Sequence, residues 1–132
     1  MIGQTKDVGF QVGARRTLSV PLADAWTFLT SQEGVTIWLG KPLKWDFIKG
    51  EDYQLKDGTT GLIRVLKENS HLRMTWKPPE WEKPSLIQIR VIPKGEKTVI
   101  AFHQEHLPGP EERQMRKDFF IRALDRIEEI IY

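Results

Sequence analysis

The sequence contains no cysteine. That absence excludes a disulfide framework, a zinc–thiolate centre and a thiol nucleophile. An excess of one charge is missing as well: 20 Lys and Arg stand against 18 Asp and Glu, a formal net charge of +2. Dedicated nucleic-acid binders carry a clustered basic excess, so no nucleic-acid partner is expected. No run approaches the roughly 18 consecutive apolar residues of a membrane-spanning helix, and no span is expected. The opening Met1-Ile2-Gly3-Gln4-Thr5-Lys6-Asp7 lacks the basic start and apolar stretch of a secretory leader, which makes a cytoplasmic location the simplest expectation. Internal repeats and low-complexity tracts are absent too. The glycines are scattered and make no phosphate-cradling loop, and no glycines frame a serine as a nucleophile elbow. The richest proline segment, Lys77–Pro84, is too short to link domains, so a single domain over residues 1–132 is expected.

What is present is a chain of 132 residues with five tryptophans, long enough to bury a core without covalent staples. Ala14–Val20 alternates as a first strand. Pro21 then starts a short helix with Leu22, Ala25, Trp26 and Leu29 on one side, and Ser31 caps a second that Gly40 stops. Five strands follow. Asp52–Leu55 turns at Asp57-Gly58 into Thr60–Lys67; Asn69-Ser70 leads into His71–Trp76; the proline-rich loop precedes Ser85–Ile92; and Lys94-Gly95 turns into Thr98–His106. Gly109-Pro110-Glu111-Glu112 opens a last, long helix. Its expected apolar stripe is Met115, Phe119, Phe120, Ala123, Leu124, Ile127, Ile130 and Ile131. Strands grouped apart from helices imply an α+β fold: an antiparallel sheet of about six strands, two short helices after the first strand and one long C-terminal helix.

Several stretches in this order carry a family likeness. They are Arg15–Pro21, Ala25–Thr30, Ile37–Gly40, Leu72–Trp76, Ile89–Pro93 and Lys97–Phe102. Together they resemble the START-like superfamily with its helix-grip fold, and within it the family named for the activator of the heat-shock protein 90 ATPase. The resemblance spans about Ala14 to Ile131. It implies a curved sheet gripping the long helix, with a cavity where helix and sheet diverge. Two departures border that cavity: Trp38-Leu39 stands where many relatives pair two tryptophans, and Phe119-Phe120 lies where many open the helix with Gly-Trp. The ligand is therefore not carried over. The eukaryotic activator has a further domain that contacts the chaperone, so the family name implies no chaperone activation for these residues.

Alternation assigns the inward faces. Met74 and Trp76, then Phe102, Gln104 and His106, are expected to face the helix residues Phe119 and Phe120 across the cavity. Trp38, Trp45 and Trp81, on irregular segments, are expected to close its mouth. Arg64 shares a face with Leu62 and Leu66, so either it is buried against an anion or this face is exposed. The expected occupant is a small hydrophobic or amphipathic molecule, held by aromatic walls with Gln104, Arg64 and His106 as polar contacts. No cofactor is expected. His103 and His106 point to opposite faces of a regular strand, so no metal is expected either. Two alternatives stay open: a cyclase- or hydrolase-type enzyme using His106 as acid–base, and an interaction module using Trp45, Trp81 and Ile92. The helix running uncapped to Tyr132 leaves a homodimer open.

Overall fold

The protein is described here from a computed structural model, covering residues 4–5, 9–44 and 48–131. Trp45 and Tyr132 lie outside the described residues. The elements are β1 (Gln4–Thr5), β2 (Gly9–Leu18), α1 (Leu22–Leu29), α2 (Gln32–Trp38), β3 (Asp52–Gln54), β4 (Thr60–Lys67), β5 (His71–Trp76), β6 (Ser85–Lys94), β7 (Lys97–Leu107) and α3 (Pro110–Ile131). The strands form one antiparallel sheet in the order β1-β2-β7-β6-β5-β4-β3. The fold is α+β and helix-grip, with a two-residue strand, β1, that the sequence did not announce.

Local chemistry sets the helices. Pro21, extended at φ −63° and ψ 149°, precedes α1, and the Ser31 hydroxyl accepts from Gly34 N at 3.1 Å to cap α2. Gly34 has no alternative: a Cβ there would stand 1.9 Å from the Phe28 carbonyl oxygen. Trp38 Nε1 donates to the Leu29 carbonyl at 2.8 Å, so this indole pins α2 to α1 inside the core.

The long helix α3 lies along β2, with α2 and β7 also against it. Its start is tied to β2 where Arg113 Nε donates to the Gln11 carbonyl at 2.7 Å. Phe120, Ala123, Leu124 and Ile127 bury their side chains in one core with Trp38, Leu72, Met74, Ile87, Ile89 and Phe102. The Phe102 and Phe120 rings stack with centroids 5.0 Å apart.

Two irregularities break the strand alternation. Between Ile63↔Met74 and Val65↔Arg73, β4 spends one residue more than β5, and the extra residue is Arg64. The bulge lets Ile63 and Leu66, three apart, both face the core while Arg64 is exposed. Between Val12↔Gln104 and Phe10↔Leu107, β7 likewise carries one residue more than β2. His106, at φ 64°, absorbs that excess, so Leu107 returns to the core and His106 is exposed. The face of Arg64, left open by the sequence, is outward, and the pocket contacts expected of Arg64 and His106 are corrected: the faces were assigned by an unbroken two-residue period, and each residue sits where that period slips.

Candidate functional site

The inner stripe of α3 reads Arg116, Phe120, Ala123, Leu124 and Ile127, so a guanidinium occupies the position expected of Met115. Met115 is 65% exposed and Arg116 only 7%. A buried charge ordinarily has an ionic partner, because removing it from water is costly. Among the described residues Arg116 has none. Its Nε donates to Gln104 Oε1 at 2.8 Å, Gln104 Nε2 donates to Ser85 Oγ at 2.8 Å, and Ser85 Oγ donates to the Trp76 carbonyl at 2.8 Å. Three rings surround the cation: Cζ lies 4.1 Å from the Trp76 centroid, 4.4 Å from Phe119 and 4.8 Å from Phe120. Cation–π attraction offsets part of the desolvation. Burial pulls the Arg116 pKa down to about 10, against a smaller opposing influence of Tyr53, so the group stays charged at neutral pH.

Tyr53 lies within electrostatic reach of Arg116. Its hydroxyl donates to the Thr75 carbonyl, and burial pushes the phenol pKa upward, keeping it neutral. The ring lies across Gly61, where a Cβ would stand 2.4 Å from the ring and 2.1 Å from the Thr75 oxygen. Glycine is the residue that admits tyrosine here.

Beside the guanidinium opens a cleft of about 530 Å³ between α3 and the proline-rich loop. Trp76, Trp81 and Phe119 line it, with Glu80, Glu112 and Asp118 among the acids at its edge. Trp81 is half-buried and meets Trp76 edge-on at 5.3 Å. Of the residues expected in a pocket, Trp76, Trp81 and Phe119 meet here, while Gln104 and Phe120 stand behind Arg116. Trp38, Met74 and Phe102 do not reach the cleft: each is sealed in the core at 2% exposure or less, which corrects the expectation that they face open space. The space foreseen between them and α3 is filled by the stacked rings. Arg64 is on no part of the cleft, and His106 lines an adjoining groove of about 950 Å³ with Gly9, Lys83 and Pro108, which shares Glu80, Trp81 and Glu112 with the first. His103 Nε2 hydrogen-bonds Gln11 Oε1 at 3.0 Å on β2. Among the described residues no group of three metal-ligating side chains comes together, and no helix is long and apolar enough to cross a membrane.

Sequence reasoning missed Arg116 and Tyr53. The signal for Arg116 was its phase, four residues before Phe120 and seven before Ala123, overridden by the habit of sending arginine to solvent.

Comparison with known proteins places the fold. The model of the family described as activator of Hsp90 ATPase homolog 1-like protein matches residues 19–131. Among solved structures, the crystal structure of CalU16 from Micromonospora echinospora superposes with a TM-score of 0.80 at 19% identity, covering 92% of this chain and 75% of that one. CV1439 from Chromobacterium violaceum gives a TM-score of 0.76 at 17% identity, covering 92% and 96%. PFC0360w of Plasmodium falciparum, described as an HSP90 activator, gives 0.74 at 17% identity, covering 92% and 95%. At such identities the likeness is one of fold. No curated protein matches the sequence.

Proposed function

The chain belongs to the family of activator of Hsp90 ATPase homolog 1-like proteins, and from that premise we propose that it binds a small amphipathic molecule in the cleft between α3 and the proline-rich loop. One observation carries the reading: three aromatic side chains, Trp76, Trp81 and Phe119, line a cleft of about 530 Å³ beside a buried cation. Ligand sites generally have this make-up, apolar and aromatic walls with few polar groups, at volumes of roughly 300–1,000 Å³. Binding here needs shape and desolvation and no covalent step. The enzymatic alternative loses its acid–base group, because His106 is exposed in the neighbouring groove and does not line this cleft. Trp76 and Trp81 supply the readout. Native mass spectrometry of freshly purified protein is expected to find a retained small molecule, and titration with lipids and aromatic acids and esters is expected to shift tryptophan emission. A protein that carries nothing and responds to no member of the panel would falsify the proposal.

A further inference from the structure

We infer, resting on the ligand cleft proposed above, that its occupant is a carboxylic acid: the carboxylate accepts from the terminal nitrogens of Arg116 while an aromatic or extended apolar body lies along Trp76, Trp81 and Phe119. The inventory of donors and acceptors leads there. Arg116 Nη2 and Trp76 Nε1 are both enclosed, and neither has an acceptor among the described residues. They belong to one cluster, since the guanidinium lies 4.1 Å over the Trp76 ring. Two enclosed donors without an acceptor are what a missing acceptor group leaves behind.

The edge of the guanidinium that remains is defined by what is used. Nε is committed to Gln104 Oε1, so the end carrying Nη1 and Nη2 is left for a two-oxygen partner, the geometry in which arginine recognises a carboxylate. A neutral carbonyl would satisfy one nitrogen and leave the charge uncompensated. The cleft's own acids do not fill the role. Asp118 Oδ1 accepts from Gln114 Nε2 at 3.0 Å, and neither Glu80 nor Glu112 ion-pairs with Arg116. Glu80 and Asp118 are exposed, where water and salt screen their repulsion of an incoming anion. Nη2 is enclosed, so entry of the acid requires a side chain of the cleft wall to shift.

Matched pairs test this: naphthoic acid, trans-cinnamic acid and decanoic acid, each against its methyl ester, titrated at neutral pH by calorimetry and tryptophan fluorescence. At least one acid is expected to bind about tenfold or more tightly than its ester, the scale of a charge-assisted bidentate contact. In Arg116→Met that ratio should fall to about one, and Arg116→Lys should restore part of it. Esters binding as well as acids to the wild type overturn the carboxylate inference and leave the cleft standing. Binding of neither class overturns the cleft reading itself. A preference for acids that survives in folded Arg116→Met moves the anion site away from Arg116. The wild-type ratio decides the ligand class even if that variant fails to fold.

Discussion

The two halves of α3 solve opposite problems with the same backbone. From Phe120 onward the inner face is Phe120, Ala123, Leu124 and Ile127, all sealed, and the outer face is held to β2 where Arg16 Nη1 meets Asp125 at 2.6 Å and Glu128 at 3.2 Å. Before Phe120 the inner face carries Arg116, a cation without a counter-ion among the described residues, next to a cleft. Each arginine displays the opposite response to its surroundings. Hydrogen bonding to Asp125 raises the Arg16 pKa, whereas burial lowers that of Arg116. The closed half gains stability from burial. The open half gives some up, and such a concession is typical of a place that meets a ligand.

The largest effect is expected in the closed half. Phe120→Ala removes the ring stacked on Phe102 and should cost about 3–5 kcal/mol in denaturant unfolding. A cost under about 1 kcal/mol would mean the closed half is not the anchor. In the open half, the double change Arg116→Met with Gln104→Leu replaces the cation and its buried acceptor by apolar groups. Its unfolding free energy should be unchanged or higher by up to about 3 kcal/mol. A loss instead would make Arg116 an ordinary structural residue and erase the contrast. Trp81→Ala takes one edge-on ring from Trp76 and should cost about 1 kcal/mol, with Trp76 emission shifting to the red as water enters. The smallest effect belongs to Asp125→Asn. Asp125 is well exposed, so thermal unfolding should register less than about 1 kcal/mol, shrinking further with added salt.

How legible this was in the sequence follows the same division. The closed half is apolar at helical spacing, so Phe120, Ala123, Leu124 and Ile127 were placed correctly, and so were Met74, Trp76, Phe102 and Gln104 on the inner face of the sheet. Ser31, Pro21 and the Asp57-Gly58 turn fixed the element order through local chemistry that acts without tertiary help. Arg64 and His106 failed for one reason: a bulge inserts a single residue and inverts every later face assignment, and nothing local advertises it, His106 being a non-glycine at φ 64°. Arg116 failed for another. Its burial depends on three aromatic rings and a glutamine brought from other elements or later turns, a compensation visible only after folding. Trp38 was expected at a mouth because it ends a short helix, yet its Nε1 finds the Leu29 carbonyl and draws the ring inward.

The relay from Arg116 through Gln104 and Ser85 to the Trp76 carbonyl runs in one sense, each group handing its hydrogen to the next. A glutamine amide has two settings of nearly identical shape and opposite polarity. Only the setting that turns its oxygen to the helix is compatible with a guanidinium. The Ser85 hydroxyl, already committed as donor to the Trp76 carbonyl, offers the amide nothing but a lone pair and so selects that setting. One hydroxyl at the start of β6 thus sets the orientation of the amide that Arg116 meets.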